Sequence, residues 1–271
     1  MARWQPVEVN GRPFESGVAL IDKPVGITSF AVVGKLRRLL GLKKIGHAGT
    51  LDPFASGLLI LCAGRPATRH IDQFMQGAKE YEAVLQLGVE TDTLDLEGRI
   101  LATRGVGPLS EEEICSCLQG FTGPRMQAPP AFSAAKHKGK PLYHYARKGV
   151  MIRKEPRPIE IYNMEFLGYD ADARQLSCRV QCSRGTYIRV LAAEIGEHLG
   201  CGAHLCALRR TRSGSFSVDG ALDGRVLDSE HGLTALLDAI MSVPEALALH
   251  GSEKECSKAC SCLPAPSLRT G

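Results

Sequence analysis

The spacing of apolar and polar positions along the chain changes several times, and each change marks an element. Phe30, Val32, Val33, Leu36, Leu39 and Leu40 follow helical spacing, with Ser29 before them and Gly41 after. This predicts a helix capped by Ser29 and ended by Gly41. Gly17 to Ile21 reads as a short strand, and the unbroken apolar run Gly57 to Ala63 as a buried one. Lys79 to Leu87 is a further strand. Arg174 to Ser183 alternates cleanly, with Leu176, Cys178, Val180 and Cys182 on one face and Ser177, Arg179, Gln181 and Ser183 on the other. Ser110 and Glu113 form a capping box ahead of Ile114 and Leu118, with Gly120 as the stop. Gly185 leads into a helix from Thr186 to Leu199, closed by Gly200, and Leu233 to Met241 carries one more short helical pattern. Strands and helices are interspersed without strict βαβ order and without an internal repeat. The expected class is α+β, with a largely antiparallel sheet flanked by helices and loops.

Three polar stretches interrupt this pattern. Lys43 to Pro53 is a glycine-bearing loop. Asp92, Asp95, Glu97 and Gly98 have the flavour of a calcium loop, but their spacing does not fit an EF-hand, and a solvated turn is expected. Gly123 to Gly149 is rich in Pro, Lys, His and Tyr. It is too long and too basic for a simple connection, and long loops of this kind carry function. The chain past His250 is expected to be disordered.

Composition narrows the field. The chain has 271 residues, 44% hydrophobic and 23% charged, which is enough for a large core without a metal or disulfide staple. Its longest apolar run is far too short to span a bilayer, so no membrane association is expected. Arg3 is followed by no apolar stretch of the secretory kind. Ten cysteines without a signal then argue for reduced thiols and a cytoplasmic location. The charge is uneven: residues 219–271 hold 4 Lys/Arg and 8 Asp/Glu, whereas residues 1–218 hold 29 and 21. The body therefore suits a polyanionic partner better than the tail does.

The loop Gly46-His47-Ala48-Gly49-Thr50-Leu51-Asp52-Pro53 is the strongest chemical feature. Its glycines allow close backbone approach to a ligand, and Pro53 fixes the chain just after Asp52. The outcome is a carboxylate on a rigid turn beside an imidazole, a group able to act at a sugar anomeric carbon. By composition alone the same turn could lack any activity.

The segment Gly46 to Leu59, GHAGTLDPFASGLL, resembles the catalytic signature of the TruB family of pseudouridine synthases. Further segments resemble that family in order. They are Asp22-Lys23-Pro24-Val25-Gly26-Ile27-Thr28-Ser29, Lys79-Glu80-Tyr81, Gln127 to Tyr143, Cys182 to Arg189, and Leu208-Arg209-Arg210-Thr211. Together they cover roughly residues 17–218, and independent motifs multiply their specificity.

The resemblance implies a pseudouridine synthase fold and the isomerisation of the uridine at position fifty-five in the T arm of tRNA. Asp52 matches the catalytic aspartate and Arg189 the arginine that pairs with it. Tyr187 matches a tyrosine in contact with the base, a candidate for moving the proton. Tyr81 matches the stacking tyrosine, His47 the residue that fills the space a flipped base vacates, and Leu208 an apolar contact. Lys23 belongs to the upstream motif and Lys136 to the RNA-contacting insertion; both are expected at the substrate. No metal, redox or nucleotide cofactor is implied, and no obligatory protein partner is expected beside a T-arm stem-loop. Without the resemblance, Arg189 reads as a solvated helix residue and Tyr81 and Leu208 as core. Lys43, Lys44, Lys138, Lys140, Arg147, Lys148, Arg209, Arg210 and Arg212 are further candidates for phosphate contacts, with Tyr143 and Tyr145 interleaved for stacking.

The expected organisation is an extension over 1–16, a catalytic domain over 17–222, and a short helix with a disordered tail over 223–271. That last segment is too short for the complete RNA-binding domain that bacterial members commonly carry. This favours a stand-alone tRNA enzyme over a guide-RNA-dependent catalytic subunit or a non-catalytic RNA-folding protein. Cys256, Cys260 and Cys262 with His250 form a weak zinc pattern, and the body cysteines read as small buried hydrophobes.

Overall fold

The structure is a computed structural model. It describes residues 4–9 and 11–260, with side chains described as far as residue 251. Eleven strands form one mixed sheet. In chain order its main members are β1 (Gly17–Lys23), β2 (Ile45–Ala48), β3 (Ser56–Ala63), β4 (Lys79–Leu87), β5 (Gly123–Gln127), β6 (Arg157–Asp170), β7 (Gln175–Cys182), β8 (Ala203–Ser213) and β9 (Leu222–Asp223). The principal path runs β9-β1-β3-β8-β4-β7-β6-β5, with β2 paired to β3. Most neighbours are antiparallel, while β8 with β3 and β9 with β1 are parallel. The main helices are α1 (Ser29–Leu40), α2 (Glu111–Gly120), α3 (Ile188–His198), α4 (Gly232–Ala239) and α5 (Val243–Cys260). None of the described helices is long and apolar enough to cross a membrane.

Burial explains the two strand patterns seen in the sequence. Strand β3 is apolar throughout because both its faces are covered. Leu59, Leu61 and Ala63 pack under α1 and α4, while Leu58, Ile60 and Cys62 pack with Phe74 and Phe216. Strand β7 alternates because only one of its faces meets the core. There Leu176, Cys178, Val180 and Cys182 join Ile114 and Leu118 of α2 and Leu191 and Ile195 of α3. The body cysteines are free and mostly buried, as expected of small apolar side chains.

Helix α1 differs from its sequence reading at one residue. Thr28, not Ser29, is the N-cap, and its hydroxyl accepts from the Ala31 amide at 3.0 Å. Ser29 is the first helical residue, and its hydroxyl points to the loop before Asp52. Gly41 ends the helix in the left-handed conformation, and the Ser110–Glu113 capping box forms as read. Helix α3 starts at Ile188 rather than Thr186, because Tyr187 is held in an extended conformation.

The polar segments are more ordered than their composition suggested. Ile45–Ala48 of the loop before Asp52 pairs with β3, and residues 123–149 form β5, a small hairpin over 136–141 and a helical turn, Leu142–Ala146. The chain after residue 222 belongs to the same body. Ile240–Met241 pairs with β1, Leu236 is buried under α1, and Ala246 of α5 packs with Phe74. Past His250, α5 continues to Cys260 instead of fraying at once. The side chains of Cys256 and Cys260, and all of Cys262, lie outside the described residues. His250 is buried against Phe74 and Phe216.

Candidate active site

Asp52 sits in the connection between β2 and β3, and every flank of that connection is tied down. Before it, the Ser29 hydroxyl accepts from the Leu51 amide at 2.9 Å and donates to the Leu51 carbonyl at 3.0 Å. After it, the Pro53 carbonyl accepts from the Gly26 amide at 2.8 Å and from Lys23 Nζ at 3.2 Å. Arg210 braces the two ends, donating to the Leu58 carbonyl at 2.8 Å and the Gly49 carbonyl at 3.1 Å. Gly49 and Gly57 both have positive φ, 86° and 99°, and both lie against Arg210. At Gly57 a Cβ would stand 2.3 Å from the Arg210 carbonyl oxygen, so only glycine fits.

The carboxylate of Asp52 meets Arg189 from the first turn of α3. Arg189 Nε lies 2.9 Å from Asp52 Oδ2, with the arginine side chain 5% exposed and that of Asp52 37% exposed. Three of the four remaining guanidinium hydrogens are also used. Nη1 reaches Asp95 Oδ2 at 3.2 Å and the Thr93 carbonyl at 2.8 Å, and Nη2 reaches the Phe132 carbonyl at 2.8 Å. Such a buried cation is tolerable only because it is paired with two carboxylates and bonded to two carbonyls. The solvated-helix reading of Arg189 is therefore wrong. Burial pushes the Asp52 carboxyl above its ordinary pKa and Asp95 adds to this; Arg189 and Lys23 pull the other way without overcoming it.

Asp95 was missed by sequence reasoning. The acidic stretch is not a solvated turn throughout. Asp92 faces Arg99 at the surface, whereas Asp95 is buried, accepting from the Thr93 hydroxyl at 2.6 Å and the Glu97 amide at 3.1 Å. No spacing in the sequence distinguishes the two carboxylates.

The other expected residues gather around this pair to different degrees. Tyr81 is half-buried on β4 opposite Arg210 and Val180; burial raises its phenol pKa, while a hydrogen bond from Arg210 lowers it. His47 ends close to the same arginine, with Nε2 3.2 Å from the Thr50 hydroxyl. Burial, and then Arg210, pulls its imidazole pKa down, so neutral histidine is favoured. Leu208 is buried on β8 beside Ala83, in the same cluster as Leu51 and Phe54. It lines a cleft of about 560 Å³ together with Gly26, Phe54, Leu96 and Arg209.

Lys23 lies wholly inside, its ammonium shared among the carbonyls of Pro24, Ile27 and Pro53. Burial lowers its pKa to about 8, against the raising effect of Asp52 and Glu97. Two of these bonds hold the turn before α1 and one holds the loop after Asp52. Lys136 is far from this network in character, exposed on the small hairpin with Lys138 and Lys140. Of the candidate phosphate contacts, Arg210 is excluded by burial. Arg209 is half-buried and bonded to both oxygens of Asp22, at 3.0 and 2.6 Å.

Comparison with known proteins fits this geometry. Residues 37–188 match the model of the TruB family pseudouridylate synthase N-terminal domain. The chain belongs to the TruB family. Residues 189–245 match the tRNA pseudouridylate synthase B C-terminal domain. The tRNA pseudouridine synthase B of Desulfotalea psychrophila is 55% identical over 233 residues, which is 85% of this chain and 95% of that protein. That of Aromatoleum aromaticum is 46% identical over 85% of this chain and 75% of its own. Among solved structures, a Cbf5–Nop10–Gar1 complex superposes with a TM-score of 0.66 at 31% identity, covering 86% of this chain. The TruB chain described here spans 62% of that Cbf5 chain. Its fold is the pseudouridine synthase fold, and the protein is a pseudouridine synthase.

The two matched TruB regions meet between Ile188 and Arg189. Asp52 comes from the first region and Arg189 and Leu208 from the second, so the site forms only where the regions share one sheet.

Proposed function

We propose that this TruB protein converts the uridine at position fifty-five, in the T arm of tRNA, to pseudouridine, with Asp52 as the group acting at the ribose. The observation that carries this reading is the Asp52–Arg189 pair. A partly exposed carboxylate is oriented by a buried guanidinium at 2.9 Å and desolvated by its surroundings. Desolvation raises the reactivity of a carboxylate toward an electrophilic carbon, and the arginine keeps it aimed. The target uridine must leave its stack to reach such a site. Tyr81 then offers a stacking face, Leu208 an apolar wall, His47 a filler for the vacated space, and Tyr187 a phenol for proton transfer at C5. Isomerisation breaks the N1–C1′ bond, turns the uracil and makes the C5–C1′ bond. Atoms balance within the nucleotide, so the reaction calls for no co-reactant.

The curated relatives are tRNA enzymes and are matched over as much as 95% of their length, at 55% identity. This favours a protein that works alone on cytoplasmic tRNA over a guide-RNA-dependent subunit of the Cbf5 kind. The test is incubation of the purified protein with a mixed tRNA pool and no other RNA, followed by chemical mapping of pseudouridine at single-nucleotide resolution. A single new modification in the T loop is expected. Modification elsewhere, or only after addition of a guide RNA, overturns the assignment.

A further inference from the structure

Tyr187 occupies an unusual place. It is the residue before α3, with extended φ −97° and ψ 105°, and no side chain of its own caps the helix. Its backbone is instead held by a residue 60 positions away. The Tyr187 amide donates to Gln127 Oε1 at 2.7 Å, and Gln127 Nε2 donates to the Tyr187 carbonyl at 3.2 Å. The side-chain amide thus supplies the same donor and acceptor that a neighbouring strand would. Gln127 is 4% exposed, and its own backbone pairs with Arg157 in the sheet. A buried amide is unfavourable unless both of its ends are bonded, and both bonds here go to one residue.

The φ and ψ of a residue orient its Cα–Cβ bond and restrict its side-chain rotamers. Fixing both peptide groups of Tyr187 therefore fixes its Cα–Cβ direction and narrows the rotamers its ring can adopt. Arg189 follows two residues later, and its position relative to Asp52 depends on the same start of α3. Gln127 also ends β5, immediately before the segment whose Phe132 carbonyl binds Arg189 at 2.8 Å. Three bonds near the root of the basic insertion thus reach Tyr187 and Arg189 at the start of α3.

We propose that Gln127 is a positioning residue for the isomerisation, acting through Tyr187 by a two-point clamp on its backbone. Gln127 touches no reacting atom. It sets the angle at which the phenol faces the uracil. This rests on the proton-transfer role proposed above for Tyr187.

The test compares four full-length proteins: wild type, Gln127→Met, Tyr187→Phe and the double variant. Methionine keeps length and volume but offers neither bond. Single-turnover rates and Kd are measured on a T-arm stem-loop, per folded protein and well below each thermal transition. Gln127→Met is expected to slow the rate at least about tenfold with Kd unchanged within about twofold, the pattern of a lost transition-state interaction. In the Tyr187→Phe background the same change should cost no more than about twofold, because the group being aimed is already gone. An equal loss in both backgrounds, or a loss in Kd or thermal stability alone, overturns the clamp. If Gln127→Met folds poorly, Gln127→Glu takes its place, since it keeps the acceptor for the Tyr187 amide but sets an oxygen against the carbonyl; the same two outcomes decide. A Tyr187→Phe protein with normal rate removes the role of Tyr187 and the clamp with it. A slow Tyr187→Phe beside a normal Gln127→Met removes the clamp only.

Discussion

Two groups of cations in this protein have similar side chains and opposite situations. Lys23, Arg189 and Arg210 are buried around the Asp52 loop, with their donors committed to carbonyls and carboxylates. Lys136, Lys138, Lys140, Arg147 and Lys148 stand exposed on the insertion between β5 and β6. A buried charge whose partner is removed costs about 3–5 kcal/mol, whereas a surface pair is worth about 0–1 kcal/mol. The first group therefore determines geometry and the second supplies a diffuse field. The difference separates two kinds of defect: loss of rate near the loop, and loss of salt-sensitive affinity on the insertion.

The largest effect should come from Asp52→Asn. The substitution keeps size and removes the charge, so we expect turnover to fall by at least about a thousandfold with RNA Kd within about threefold. Single-turnover assays with matched binding measurements check this, and a rate near wild type would end the proposed role of Asp52.

Next is Arg189→Lys, which keeps charge but cannot make four directed bonds to Asp52, Asp95, Thr93 and Phe132. A rate loss of about a hundredfold with little change in Kd is expected. The pH profile sharpens the point. Because burial raises the Asp52 pKa, folding favours its protonated form. The stability it contributes is complete below the ordinary carboxylate pKa and is lost as pH rises through the raised value. Activity runs the other way, since the ionised form is needed. The acid limb of the rate profile should lie above the usual carboxylate range, and Arg189→Gln, by removing the nearest positive charge, should move it higher still. An unmoved limb would mean that another group titrates there.

Ser29→Ala should have an intermediate effect. It leaves the Leu51 amide and carbonyl without their buried partner, which costs about 1–3 kcal/mol by the usual penalty for an unsatisfied group. A lowered Tm and a rate loss of about tenfold are expected, because Leu51 precedes Asp52. A lowered Tm with normal rate would show that the loop keeps its shape without the clamp.

The smallest effect on rate should be that of Lys136→Ala combined with Lys138→Ala. At saturating RNA the rate should stay within about twofold. The slope of log affinity against log salt should become shallower by about 0.7 for each phosphate contact removed. An unchanged slope would place both lysines away from the RNA backbone.

Much of this molecule was legible in the order of its residues. The helical spacing after Ser29, the capping box at Ser110 and the alternation of β7 report local preference and burial, which repeat at fixed intervals along the chain. The Asp52 loop could be found because a tight turn demands particular residues in sequence. What the sequence did not reveal was which polar groups turn inward. Asp92 and Asp95 are alike on paper, yet one pairs with the exposed Arg99 and the other with the buried Arg189. Ser29 looked like a helix cap, but its hydroxyl is taken up by Leu51, 22 residues away. Gln127 and Tyr187 are 60 residues apart. The sequence by itself determined several of the helices and strands, the largely antiparallel character of the sheet and the place of Asp52 on a tight turn. Only the tertiary structure decided the partners of the buried polar groups, because a hydrogen bond depends on the distance between two atoms, and no periodicity along the chain encodes the distance between segments that meet only after folding.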